Sequence, residues 1–236
     1  MTGCRQFAPS GGRVCALPEP SRAALYYAPE ADDPLWSLGN AWLGRDPETG
    51  AALTQPLPRL AAETAAPRRY GFHATLKAPI SLRYGFEAFA ADAASFAAQC
   101  PGFSLPPLAV TNLSGFLALC FSAPCQDMQN LAAGCVTELD VHRVPEDEAI
   151  QAKRAAGRTE RQRQYIARWG YPLVLEEFQF HMTLTGELAD NSLAKAASAF
   201  FAPALALPRR VSSLGLFVED TPGAPFRLVR RLKLAS

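Results

Sequence analysis

Two five-residue stretches, Phe72-His73-Ala74-Thr75-Leu76 and Phe180-His181-Met182-Thr183-Leu184, alternate apolar and polar residues in the same order. A period of two is the mark of a strand, in which residues two apart share a face. His73 and Thr75 then point one way and Phe72, Ala74 and Leu76 the other, and His181 and Thr183 are set against Phe180, Met182 and Leu184 in the same manner. Each strand has an apolar back suited to a helix-covered core and offers a polar pair in front.

The pattern predicts strands over 70–77 and 178–185 around these segments, a first strand over 23–28, strands over 103–110 and 116–122, and a final pair over 211–218 and 226–234 joined by Thr221-Pro222-Gly223. Helices are expected where apolar residues recur at three and four. One runs from Asp33-Pro34, an N-cap with Pro at the first helical position, through Leu35, Trp36, Leu38 and Trp42 to Gly44. Others span 87–99, with Phe89 and Phe96 on one face, 127–139 and 192–201. A further, exposed helix opens at Thr159 with Gln162 as a capping box and stops at Gly170. Residues 45–67, rich in Pro, Thr and Ala, are expected to be partly irregular, and residues 1–21, with Gly11-Gly12 and no periodic apolar pattern, to be a flexible leader. Strands and helices mix in both halves, with one His-x-Thr strand in each. The separation of the histidines, 108 positions (181 − 73), is that of one small lobe. An α+β fold built on a pseudo-repeat is expected, a single domain over 22–236.

Composition narrows the function. With 23 Lys plus Arg against 22 Asp plus Glu, the chain lacks the basic surplus that long duplex nucleic acid requires. No apolar run approaches the roughly 20 residues of a membrane span, and the first residues lack a signal peptide's apolar core, so a cytoplasmic protein, monomeric and without a membrane partner, is expected. The six cysteines form no C-x-x-C pair and are read as reduced packing thiols; a redox role for Cys120 with Cys125 is the lesser alternative. There is no P-loop, no G-x-G-x-x-G and no carboxylate cluster suited to Mg²⁺, so neither metal nor cofactor is called for.

Two of three histidines carrying Thr at plus two and Leu at plus three is a coincidence on the order of one in ten thousand. The paired motif resembles the 2H phosphoesterase superfamily, marked by two His-x-Thr or His-x-Ser copies on the lobes of a pseudo-symmetric fold. Closer still, Ala24-Leu25-Tyr26-Tyr27-Ala28-Pro29, Trp42-Leu43-Gly44-Arg45-Asp46, Arg69-Tyr70-Gly71-Phe72-His73 with the residues to Pro79, Arg168-Trp169-Gly170-Tyr171-Pro172, and Glu177 to Gly186 resemble the DUF1045 branch, often encoded beside phosphonate-utilisation genes. The resemblance implies an α+β fold of two pseudo-symmetric lobes, each an antiparallel sheet with helices, with an active-site cleft between them, and a phosphodiester hydrolase acting on a small phosphorylated substrate such as a cyclic phosphate, a nucleotide or an RNA end. A non-catalytic module binding the same ligands in the same cleft is the alternative.

The chemistry agrees with these residue types. Opening a phosphodiester needs one group to take a proton, one to give a proton and donors for the phosphoryl oxygens. His73 and His181, with ordinary pKa values near 6.5, serve as base and acid in an order the sequence leaves open. The hydroxyls of Thr75 and Thr183 are the phosphate donors. Lys77, four residues past His73, shares its face in a regular strand and adds positive charge, with a solvated strand-end lysine as the alternative. Tyr70, three residues before His73, falls on the opposite face unless the strand begins later. His142 lacks the Thr and is read as a packing or surface residue. The run Lys153, Arg154, Arg158, Arg161, Arg163 and Arg168 is read as a solvated helix face that could touch an RNA end, and Trp36, Trp42 and Trp169 as core or interface residues.

Overall fold

The computed structural model describes residues 19–235. The elements in order are β1 (Arg22–Tyr27), α1 (Pro34–Leu43), α2 (Leu60–Glu63), α3 (Ala65–Tyr70), β2 (Ala74–Ile80), α4 (Phe86–Gln99), β3 (Phe103–Ser104), β4 (Leu108–Leu113), β5 (Phe116–Phe121), α5 (Gln126–Thr137), α6 (Glu148–Ala155), α7 (Glu160–Trp169), β6 (Met182–Thr183), α8 (Ser192–Leu205), β7 (Arg210–Val211), β8 (Ser213–Glu219) and β9 (Arg227–Lys233).

Local signals set several of these boundaries. The Asp33 carboxylate accepts from the Leu35 amide at 2.8 Å, and Gly44, with φ 79°, ends α1 in the left-handed conformation that costs glycine nothing. Thr159 and Gln162 form the reciprocal capping box at the start of α7. Ala224 donates to Thr221 in the turn before β9. Helix α6 was not expected: it buries no residue and carries no apolar stripe, and it is held by packing on α7.

The sheet order is β4-β5-β6-β2-β1-β8-β9, antiparallel throughout. Each lobe contributes an antiparallel sheet, β4-β5-β6 in one and β2-β1-β8-β9 in the other, and the two join edge to edge where β2 meets β6. The fold is α+β, as expected, with the lobes' sheets continuous rather than separate. Helix α4 packs on β8 and β9, α5 on β2, and α8 on β4 and α1.

The apolar backs of both motifs are buried: Phe72, Ala74, Leu76, Phe180, Met182 and Leu184 all belong to the core. Phe72 stacks on Phe201 of α8 at 6.3 Å, and the Trp42 indole donates to the Leu184 carbonyl at 3.0 Å, tying α1 to the second motif. Gly39 in α1 is required by this packing, because a Cβ there would lie 2.1 Å from the Phe72 ring. Helix propensity favours alanine by about 1 kcal/mol, but the overlap outweighs it. Gly39→Ala is expected to lower stability by about 1–3 kcal/mol, read by urea denaturation, and to reduce activity too, since Phe72 adjoins His73. Unchanged stability would mean that α1 or the ring moves aside freely.

The expected leader falls outside the described residues except for 19–21. Those three are held: the Glu19 carboxylate accepts from the Phe86 amide at 2.7 Å, and the Ser21 hydroxyl donates to the Glu219 carbonyl at 2.8 Å. Cys100, Cys120, Cys125 and Cys135 are free thiols, and Cys4 and Cys15 lie outside the described residues. Among the described residues no helix is long and apolar enough to cross a membrane.

Candidate active site

The two motifs meet at the junction of the lobes. Ala74 of β2 pairs with Met182 of β6 in antiparallel register. Continued one residue either way, that register sets His73 opposite Thr183 and Thr75 opposite His181 on the face away from Ala74 and Met182. A local two-fold through the Ala74–Met182 pair thus places each histidine beside the other motif's threonine.

The pseudo-symmetry extends to the imidazoles. Nδ1 of His73 lies 2.9 Å from the Gly71 carbonyl, and Nδ1 of His181 lies 2.8 Å from the Gln179 carbonyl, each two residues upstream. A carbonyl oxygen only accepts, so Nδ1 carries the proton in both rings and Nε2 is left as the reactive nitrogen. On His73 that nitrogen lies 3.2 Å from the Thr75 hydroxyl, which donates to it when the ring is neutral.

These carbonyls also bear on why both strands begin later than expected. Because the 71 and 179 carbonyls are turned to their own histidines, the ladders begin only at Ala74 and Met182. Residues 65–70, ending in the expected strand, are instead helical, closed by Gly71 at φ 82°. Tyr70 consequently comes to the His73 side, with ring centroids 6.5 Å apart, a position regular alternation would not give it.

His73 is the more enclosed imidazole. Tyr26 of β1 stacks on it at 3.7 Å with a 23° interplanar angle, and Phe217 lies 6.1 Å away. Burial among these rings lowers its pKa to about 4; the Gly71 hydrogen bond opposes the shift and the nearby His181 adds to it. The ring is neutral near pH 7. His181 meets Phe116 edge-on at 6.0 Å and is the more open of the two. A cleft of about 320 Å³ opens at the junction, with His73, Thr183, Tyr70, Phe116 and Thr185 among its walls. Neither His181 nor Thr75 is among the residues bounding it. Tyr26 and Phe116 were missed beside the histidines; the bare alternation of β1 could have put Tyr26 on a single face, but nothing in the sequence pairs that face with His73.

Lys77 is a correction. The register of β1 with β2 runs Tyr26 to Thr75 and then Leu25 to Lys77, so one extra residue of β2 is accommodated in a β-bulge between Thr75 and Lys77. The bulge turns Lys77 to the face of Leu25, away from His73. Neither the catalytic face nor solvent holds its side chain: it is 3% exposed, donates to the Val136 carbonyl at 3.2 Å and lies 3.8 Å from Asp140. Burial lowers its pKa to about 8, with Asp140 opposing. His142 is a buried packing residue, its Nε2 2.8 Å from Asp92, and Trp36 and Trp42 are in the core. Among the described residues no three His, Cys, Asp or Glu side chains gather in a way that could hold a metal.

Residues 75–227 match the family model described as Protein of unknown function (DUF1045). Two curated proteins called Ribose 1,5-bisphosphate phosphokinase PhnN are similar over most of this chain. The one from Janthinobacterium sp. (strain Marseille) is 41% identical over 87% of this chain and 49% of its own length; that from Laribacter hongkongensis (strain HLHK9) is 37% identical over 89% and 51%. The chain spans about half the length of the curated relatives it matches. Among solved structures, E. coli LigT in apo form aligns with 92% of this chain and 99% of its own at 15% identity and a TM-score of 0.47, and E. coli LigT complexed with 3'-AMP with 92% and 100% at 17% and 0.45.

Proposed function

The chain belongs to the DUF1045 family, and for it we propose a metal-independent phosphoesterase that opens a small phosphodiester, foremost a cyclic phosphate. The observation that carries this reading is the antiparallel pairing of the two motifs, with each imidazole held through Nδ1 by a carbonyl two residues upstream, which leaves Nε2 as the nitrogen available for proton transfer and sets that of His73 against the Thr75 hydroxyl. Binding alone requires no such pair of titratable groups.

In this reading His73, neutral near pH 7, is the general base. A water that replaces the Thr75 hydroxyl at Nε2 gives up a proton there as its oxygen attacks phosphorus. The ester P–O bond breaks, and His181 passes its Nε2 proton to the departing oxygen, leaving a phosphomonoester and a free hydroxyl. Thr75 and Thr183 donate to the non-bridging oxygens. Solvent exchange then returns the proton from His73 and restores His181.

The curated relatives' kinase name belongs to chains about twice as long, and this chain has no phosphate-cradling P-loop. We assign the kinase to the part of those proteins that lies beyond the match. The ribose bisphosphate in their name makes cyclic phosphates of ribose and of phosphorylated ribose the first compounds to try, beside 2′,3′-cyclic nucleotides and linear diesters.

The test is product release from that panel with EDTA present. Turnover is expected, with kcat/KM rising on the acid side as pH passes about 4, the value at His73, rather than 6.5. Binding without turnover on every member would favour a binding module, and a strict metal requirement would overturn the mechanism.

A further inference from the structure

The two motifs are alike in sequence, in their pairing and in the carbonyl that holds each Nδ1, so nothing within them decides which histidine takes the proton. The difference comes from outside them. Tyr26 lies face to face with the His73 imidazole, ring centroids 3.7 Å apart at 23°. Among the described residues no ring lies so on His181, which meets Phe116 edge-on at 6.0 Å.

Tyr26 is itself clamped. It is 1% exposed, with the buried rings of Phe217 and Phe226 at 4.9 and 6.5 Å. Its cross-strand partner on β8 is Gly215, and that glycine makes room for the clamp: a Cβ there would lie 2.7 Å from the Phe217 ring. Burial pushes the Tyr26 phenol well above its ordinary range, with Tyr70 and Tyr171 adding to the shift and Arg22 opposing it, so a neutral ring faces His73. The other titratable groups beside His73 are His181 of the second motif and Tyr70 of α3. Its hydrogen-bond partners are the Gly71 carbonyl and the Thr75 hydroxyl, with no carboxylate among them to hold an imidazolium.

A stacked ring has two effects of opposite sign: it excludes water, which disfavours the imidazolium, and its π face attracts the imidazolium. Full burial moves a histidine by about 3–5 pH units, against about one for a ring face, so exclusion of water prevails. We propose that Tyr26 is the positioning residue that breaks the symmetry of the site, holding His73 in one plane and shutting water from it, so that His73 and not His181 serves as the base. Its catalytic consequence rests on the phosphoesterase reading; its effect on the imidazole does not.

The His73 imidazole resonances, followed by NMR as pH is varied without substrate, test that effect apart from turnover. In the wild type His73 is expected to titrate at about 4. In Tyr26→Ala it should move to within about one unit of the ordinary 6.5, and Tyr26→Phe, which restores the ring, should bring it back. Tyr26→Leu, milder on the fold, should move it about one unit or more in the same direction. On a phosphodiester that is turned over, the acid limb of kcat/KM should follow the titration. A limb moved from about 4 to about 6.5 lowers the rate about 30-fold at pH 5 and hardly at all at pH 8, so a further loss of about 10-fold in kcat at pH 8 reports misplacement of the ring. His73 still titrating at about 4 in folded Tyr26→Ala or Tyr26→Leu would reduce Tyr26 to packing and overturn the proposal. A fall below the wild-type value would mean that the ring favours the imidazolium, and would overturn it too. The expected movement with no turnover of any compound would uphold the hold on His73 and tell against the phosphoesterase reading alone.

Discussion

His181→Ala is expected to lower kcat/KM on the best cyclic phosphate about 10³-fold, and His73→Ala by a similar factor, within the range for loss of one general acid or base. The two losses differ in kind. Without His73 the acid limb near pH 4 disappears, because the group whose deprotonation sets it is gone; without His181 that limb remains. The double variant should be hardly slower than either single one, since residues that act in one transition state are not additive. Thr75→Val and Thr183→Val, which keep the strand's shape and remove one donor each, are expected to cost less. Measured pH profiles of the two single histidine variants decide the matter. Full activity in either histidine variant would sink the acid–base scheme, and an acid limb unchanged in His73→Ala would exchange the two roles.

The histidine pair for which acid–base catalysis is proposed was legible in the sequence because its information is local. A period of two within five residues sets face and polarity, and the repetition of that pattern points to a shared site. Thr75 and Thr183 follow from the same rule. Lys77 did not follow, because the rule holds only while the strand is regular, and the bulge after Thr75 depends on how β1 registers against β2, a pairing between segments some fifty residues apart. Tyr70 comes to the His73 side because the strand begins later, the case that alternation alone left open: Ala65 to Tyr70 form a short helix held by tertiary hydrogen bonds, such as that from Arg68 to the Leu43 carbonyl at 2.7 Å. Tyr26 touches His73 only because β1 lies next to β2 in the sheet, a topology that alternation within β1 cannot specify. Helix and strand order was readable wherever caps and glycine stops marked it, as at Asp33, Gly44 and Thr159. It was unreadable where an element such as α6 buries nothing.

The fold's stability should depend on a carboxylate with no part in the chemistry. Glu219, at the end of β8 and 0% exposed, accepts from Arg22 at 2.6 Å, from Arg69 in the last turn of α3, and from the Gly223 amide at 3.0 Å. It joins β1, β8, the β8–β9 turn and the helix leading into the His73 segment. Burial alone would raise its pKa, but the bonds from Arg22, Arg69 and Gly223 prevail and hold it at about 2. Because the folded value lies below the ordinary 4.5, the stabilisation is fully present above pH 4.5 and is lost as pH falls towards 2. The difference amounts to about 3 kcal/mol. Glu219→Ala is therefore expected to cost about 3–5 kcal/mol, since it leaves two guanidinium groups without their buried partner. Glu219→Gln, which keeps the shape and part of the bonding, should cost less. Urea denaturation at pH 7 and pH 3.5 checks both the size and the sign: the gap between wild type and Glu219→Ala must narrow at the lower pH. A gap that stays constant would mean that the glutamate acts through packing alone, and a gap that widens would contradict the depressed pKa.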